Sequence, residues 1–147
     1  MRLRCQKALL LLALFTPACH DATGPQTVNA RFELNNIDGR PLPTVPAYTP
    51  GFTPTIISSV ITLDQSGTAS FIEHRAEWNG VDTVYHWTQT YKIVGVQIVF
   101  EAPPCPPDPP VNCAEPPTGR IFVNLMSLQR GRINSTPILY NYYLSNN

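Results

Sequence analysis

The stretch FIEHRAEWNGVDTVYHWT, residues 71–88, decides the fold of this chain. Its centre is Asn79-Gly80, the dipeptide most typical of a two-residue type I′ turn between antiparallel strands. On both sides of that turn, apolar or aromatic residues alternate with polar ones, as they do in strands that bury one face. The stretch therefore predicts a β-hairpin whose strands pair around Asn79-Gly80.

This register sorts the side chains of the hairpin onto two faces, because successive residues of a strand point in opposite directions. One face is apolar and aromatic, and we expect it to turn inward with Ile72, His74, Trp78, Val81, Tyr85 and Trp87. The other face is mostly charged, and we expect it to meet solvent with Glu73, Arg75, Glu77, Asp82 and His86. Its carboxylates are therefore expected to promote solubility instead of catalysis.

The pattern continues on both sides of the hairpin. Downstream, a turn at Val94-Gly95 extends the inward face with Gln89, Tyr91, Ile93, Val96, Ile98 and Phe100. Upstream, a four-residue loop at 64–67 places Ile57, Ile61 and Leu63 inward. A three-residue loop would place Ile56 and Val60 there instead, because a shift of one residue exchanges the two faces of a strand. We favour the four-residue loop.

Further strands are predicted at 28–37, with Phe32 and Leu34 inward, and at 120–128 and 137–144. No segment after residue 25 has a convincing helical period. The sequence therefore predicts an all-β fold: an antiparallel up-and-down meander of seven or eight strands that forms a barrel or half-barrel. Closing such a sheet into a barrel removes its exposed edges.

Residues 32–43 contain a strand that ends in an Asp-Gly-x-x-Leu-Pro turn before the meander. This arrangement resembles the lipocalin-like domains of small bacterial envelope lipoproteins. The resemblance covers residues 28–144 and implies a barrel, which can be filled by side chains or hold one small ligand. It implies no particular activity, because one fold can carry many functions.

The N-terminal segment has the plan of an export signal. Three basic residues precede an apolar run at 8–15, and Ala18 directly precedes Cys19. This order resembles bacterial lipoprotein precursors, in which the cysteine becomes the first mature residue and carries the lipid. The resemblance implies a signal peptide at 1–18, a lipidated tether at 19–27, and one domain at 28–147 in the bacterial envelope, facing the periplasm or the exterior. At Thr16 and Pro17 the sequence departs from the family's pattern.

Two alternatives to lipidation remain open. Ordinary signal peptidase would cut at the same bond and leave Cys19 bare, and a cytosolic chain could carry an apolar start by chance. The apolar run is shorter than the roughly 20 residues that span a bilayer. Without residues 1–18, seven basic and ten acidic residues remain, a net charge near −3. Nucleic-acid binding is not expected, because it requires a clustered basic surface.

Prolines and cysteines mark two loops. Residues 41–54 hold five prolines and residues 103–117 hold eight, and proline cannot donate the hydrogen bond that a central strand needs. Cys105 and Cys113 bracket the second loop, and in an exported chain such a pair is expected to form a disulfide. Their spacing is not that of a metal site, and we expect no metal and no cofactor.

The sequence contains no recognised catalytic motif, so we do not expect an enzyme. The candidate pocket is the inward aromatic face with its few polar groups, a composition typical of small-molecule sites. Its residues are His74, Tyr85, Trp87, Gln89, Tyr91 and Phe100. The leading hypothesis is a non-enzymatic protein that binds an apolar small molecule or lipid. The alternatives are side chains that only fill the barrel, an envelope-protein partner on the loop 103–117, and a hydrolase of unknown type.

Overall fold

The computed structural model describes residues 26–46, 53–102, 116–133 and 136–145. These residues contain nine strands: β1 (Ala30–Ile37), β2 (Arg40–Pro41), β3 (Thr55–Leu63), β4 (Thr68–Ala76), β5 (Asp82–Val94), β6 (Gln97–Phe100), β7 (Thr118–Ile121), β8 (Leu125–Ile133) and β9 (Thr136–Leu144). These residues contain no helix that is long and apolar enough to cross a membrane.

The strands form one antiparallel sheet that closes on itself. Eight of them follow one another around the barrel in chain order, and β1 pairs with β9 to complete the ring. The two-residue strand β2 adds to β1 through a turn at Asp38-Gly39, where both residues have positive φ angles of 50° and 75°. The predicted all-β class, up-and-down order and lipocalin-like barrel are confirmed.

The barrel has two distinct ends. The N-terminal end carries residues 26–29 and the β3–β4, β5–β6 and β7–β8 turns; the loop end carries the β4–β5 turn and the segments that flank the two proline-rich stretches. Gln26 is held at the N-terminal end, because its amide donates to the carbonyl of Ile93 at 2.9 Å. The Tyr91 hydroxyl strengthens this attachment by accepting from the Val28 amide at 3.0 Å.

The inner face of the barrel is packed with apolar side chains. Phe32 and Leu34 are buried, as predicted for the first strand. On β5 and β6, Tyr91, Ile93, Ile98 and Phe100 are also buried, which confirms the inward face of these strands. Their turn is Gly95-Val96, because Val94 pairs with Gln97. The expectation that Val96 faces inward is wrong, since this valine lies in the turn and is exposed.

Strand β4 is reversed relative to the prediction. Phe71 pairs with Trp87, so the hairpin has a three-residue loop at 78–80 instead of the two-residue loop. Such a loop needs a left-handed residue at its third position, and Gly80 has a φ of 79°. Because the loop has an odd number of residues, Ile72 and His74 face outward and Glu73 faces inward, where it is 1% exposed. The predicted faces of these three residues are therefore wrong, and so is that of Arg75, which shares the inner face with Glu73. Trp78 and Val81, also predicted to face inward, are exposed at the turn.

The β3–β4 connection is also longer by one residue than expected, because Leu63 pairs with Ala69. The β4–β5 loop and the β3–β4 connection each shift the register by one residue, and the two shifts cancel for β3. Ile61 and Leu63 are therefore buried as predicted. The prediction for Ile57 is wrong, since a β-bulge between Ile56 and Ser58 places Ile56 in the core. A bulge adds one residue to a strand and exchanges its faces beyond that point.

The predicted single strand at 120–128 is two strands. A turn at 122–124 separates β7 from β8, with the Phe122 amide donating to the Leu125 carbonyl at 2.7 Å. Phe122 and Val123 are exposed in that turn, which explains why the segment lacks alternation. Cys19 and the expected disulfide of Cys105 and Cys113 lie outside the described residues and remain predictions.

Candidate functional site

A buried charge cluster lies inside the half of the barrel nearer the loop end. Its centre is the Glu73 carboxylate, which accepts from Arg130 Nη1 at 2.5 Å and from Arg75 Nε at 2.6 Å. Arg130 comes from β8, where it shares the inward face of Met126 and Leu128. We call Glu73, Arg75 and Arg130, with Tyr140 and Tyr142, the ionic cluster. It connects β4, β8 and β9 across the interior.

Hydrogen bonds and aromatic rings complete the ionic cluster. Arg130 also donates to the Tyr142 hydroxyl at 3.2 Å, and that hydroxyl lies 3.2 Å from the Ser59 hydroxyl. The Arg130 guanidinium lies 4.7 Å from the centre of the Tyr140 ring, a cation–π contact. Within the described part of the chain, no buried side-chain nitrogen or oxygen lacks a hydrogen-bond partner.

The surroundings of the ionic cluster shift three acid–base equilibria. Burial would raise the pKa of Glu73, but the charges and hydrogen bonds of Arg130 and Arg75 outweigh it and lower that pKa below its usual 4.5. Burial raises the pKa of Tyr140 to about 12, although Arg130 opposes this shift. Burial likewise raises the pKa of Tyr142. At neutral pH, Glu73 is therefore ionised and both phenols are neutral.

The lowered pKa of Glu73 predicts a pH-dependent stability. A carboxylate whose pKa is depressed by folding stabilises the native state above its ordinary pKa, and this contribution disappears as the pH falls through the folded value. The free energy of unfolding of the natural protein should therefore fall more steeply below pH 4.5 than that of Glu73→Gln, which has no carboxylate at this site. Urea unfolding at stepped pH measures the difference. Parallel curves would contradict the prediction.

The six candidate pocket residues do not form one pocket. Tyr91 and Phe100 belong to the packed core. Trp87 stacks on Phe71, with ring centres 4.9 Å apart, and is half-buried. His74 lies on the outer face, where its Nε2 is 3.6 Å from Asp82 Oδ2. It therefore does not join Trp87 and Tyr91 inside the barrel.

Tyr85 and Gln89 share the inner face of β5 without being enclosed. Strand β5 has thirteen residues and β6 only four, so β6 pairs with β5 from Tyr91 onward. Tyr85 is exposed and donates to Glu77 Oε1 at 2.8 Å, while Arg75 lies 4.6 Å from its ring centre. Gln89 is half-buried and donates to the Glu101 carbonyl at 3.4 Å.

A cavity of about 530 Å³ opens at the N-terminal end, and we call it the end pocket. Apolar side chains from four strands and from residue 28 form most of its wall: Val28, Ala30, Phe32, Ile93, Ile121 and Leu144. Phe122 and Val123 of the β7–β8 turn stand at its rim, and Val123 is 93% exposed. Its polar lining consists of Gln26 and Asn29.

A second depression, of about 620 Å³, lies on the outer wall of the barrel, and we call it the outer groove. Its lining includes outward-facing side chains of β6, β7 and β8, among them Val99, Arg120 and Gln129. It differs from the end pocket in having more polar side chains in its lining and one charged side chain, Arg120. The end pocket is therefore the better candidate for an apolar ligand.

The sequence reasoning missed the ionic cluster and the end pocket for separate reasons. The inward position of Arg130 could have been found from the sequence, since Arg130 falls on the same strand face as Met126 and Leu128. No sequence pattern indicated the end pocket, because its walls meet only where the ends of β1, β5, β7 and β9 come together in the folded barrel. Among the described residues, no three His, Cys, Asp or Glu side chains are grouped so that they could hold a metal ion.

Comparisons with known proteins add no relative to this description. No protein-family model, no curated protein and no solved structure matches the chain.

Proposed function

We propose that this chain is an exported, lipid-anchored β-barrel protein of the bacterial envelope with a non-enzymatic role, and that it binds an apolar small molecule or a lipid chain in the end pocket. Export and anchoring at Cys19 rest on the order of basic residues, apolar run, Ala18 and cysteine in the first 19 residues. The binding role rests on the end pocket.

The single observation that carries the binding role is the apolar wall of the end pocket. Small-molecule sites are concave, mostly apolar, and measure roughly 300–1,000 Å³. The volume of the end pocket, about 530 Å³, lies within that range, and the amide side chains of Gln26 and Asn29 form its polar lining. Burying an apolar ligand against this wall gains about 25 cal/mol for each Å² removed from water.

The end pocket predicts saturable binding of an apolar probe that a single bulky residue weakens. Ala30 faces the pocket, and Ala30→Phe should fill part of it. Titration with the fluorescent probe phenylnaphthylamine should show saturable binding to the natural protein. Binding to Ala30→Phe should be weaker by at least about tenfold, which corresponds to about 1.4 kcal/mol.

The matched control for this experiment is Ala76→Phe. Ala76 is also half-buried, but it ends β4 at the loop end, far along the strand from the end pocket. Its replacement should leave probe affinity unchanged. Equal affinity of Ala30→Phe and the natural protein would reject the end pocket as the binding site. Mass spectrometry of lipids that copurify with the protein from its host would identify the natural ligand.

The outer groove favours a second candidate function, an interaction module for another envelope protein. The proline-rich loop 103–117 leads through Pro116 and Pro117 directly into Thr118, which lines this groove. A partner on this side would contact exposed Val99 and Leu139. Replacing Val99 with aspartate should then abolish copurification of the partner and leave probe binding unchanged.

A further inference from the structure

Two neighbouring turns at the N-terminal end expose apolar side chains together. Val94 ends β5, Val96 lies in the β5–β6 turn, and they are 51% and 50% exposed; Phe122 and Val123 form part of the β7–β8 turn. The turns are adjacent, because the Ile121 amide donates to the Val96 carbonyl at 2.8 Å. We call these four residues the apolar tip. Contiguous exposed apolar groups of this kind mark protein or membrane contacts.

The start of the described chain lies beside the apolar tip. Gln26 and Ile93 exchange two backbone hydrogen bonds, of 2.9 and 3.3 Å, at the strand that leads into Val94. Gln26 and Val123 also line the same pocket. Gln26 follows Cys19 by seven positions, and an extended chain of that length spans at most about 25 Å. A lipid on Cys19 therefore keeps this end of the barrel close to the membrane.

We propose that the apolar tip docks on the lipid bilayer, so that the mouth of the end pocket faces the membrane and receives acyl chains directly from it. This inference rests on the proposed anchoring at Cys19 and deepens the proposed function by naming the ligand class. Apolar side chains that lie at the bilayer boundary add membrane affinity in proportion to the apolar area they bury. Docking thus gives the tethered barrel a defined orientation.

The loop end provides the internal comparison for this proposal. The β4–β5 turn also exposes apolar residues, Trp78 and Val81. Acidic residues border that turn on both sides, Glu77 and Asp82, and the turn lies at the opposite end from Gln26. A tether at the N-terminal end directs this turn away from the bilayer.

The test places an added tryptophan at each end of the barrel. A chain of residues 19–147, which retains all described residues, carries Cys19→Ser and a polyhistidine tag at its start, and is held on phosphatidylcholine vesicles by nickel-chelating lipid. Val123→Trp adds an emitter at the apolar tip, and Val81→Trp adds a matched one at the loop end. Brominated phosphatidylcholine quenches tryptophans that enter the acyl region.

We expect the quenching added by Val123→Trp to exceed that added by Val81→Trp by at least about threefold. Introducing Val96→Asp should remove this excess. Val94→Trp at the same tip serves if Val123→Trp does not fold. Equal quenching at both ends, stronger quenching at the loop end, or none at either would overturn the docking proposal.

The polyhistidine tether allows the membrane docking to be tested separately from the lipid anchoring at Cys19, on which the docking proposal rests. It holds the chain at the position of Cys19 whether or not the natural protein is lipidated there. Lipidation is measured independently, from the intact mass of the natural protein compared with that of Cys19→Ser from the same host. A bare Cys19 would reject the anchoring while leaving the quenching result to decide the docking.

Discussion

Replacing Glu73 with alanine should destabilise the barrel by about 3–5 kcal/mol, the cost typical of breaking a buried ion pair by removing one partner. The carboxylate is 1% exposed and accepts hydrogen bonds from two arginines. Without it, Arg130 keeps a positive charge inside the barrel, beside the neutral Tyr142 hydroxyl of the neighbouring strand. The penalty arises from this uncompensated charge, because desolvating an ion is expensive.

Urea unfolding followed by circular dichroism measures the loss. The matched control is Glu33→Ala, since Glu33 also faces an arginine, Arg31, at 3.4 Å, but its side chain is 53% exposed. Exposed pairs contribute little, so this control should change stability by less than about 1 kcal/mol. Glu73→Gln keeps an acceptor for the arginines and should fall between the two. Similar losses for Glu73→Ala and Glu33→Ala would contradict the role of the ionic cluster.

Replacing Gly119 with alanine should cost more than about 3 kcal/mol, at the upper end of what overpacking produces. Gly119 lies in β7 opposite Leu128 of β8. A Cβ atom added there would lie 2.0 Å from the Ser127 carbonyl oxygen and 2.9 Å from the Leu128 Cα. These are backbone atoms, which cannot rotate away as a side chain can. Strands β7 and β8 would have to separate.

Gly95→Ala is the control for this substitution. A Cβ atom at Gly95 meets nothing within 4 Å, but the φ of 60° disfavours any L-residue. That strain costs roughly 1–2 kcal/mol. Thermal unfolding should therefore rank Gly119→Ala as clearly less stable than Gly95→Ala. The reverse order would show that β7 and β8 are not as close as described.

The fold class followed from the sequence because strand alternation and turn residues are local signals. Chain order alone then predicted an up-and-down sheet, and closure removed its edges. The face of β4 could not be predicted in the same way. Asn79-Gly80 suits both a two-residue turn and a three-residue loop with Gly80 left-handed, and the two differ by one residue. That single residue decides whether His74 or Glu73 is inside.

The candidate site was harder to predict for a related reason. The sequence placed Trp87 and Tyr91 on one inner face of β5, and the structure agrees. It could not show that β6 is too short to cover Trp87, nor that Phe71 stacks on it. The end pocket depends on where four strand ends stop around the ring. No local pattern encodes that arrangement.

The pairing of β1 with β9 has a consequence for the order in which the chain can fold. Leu144 pairs with Phe32, so the ring closes between residues more than a hundred positions apart. Contacts this distant in sequence form late and slowly. Until β9 has been synthesised, the emerging polypeptide lacks the segment that seals the cylinder. The sheet therefore stays open until that strand can reach β1.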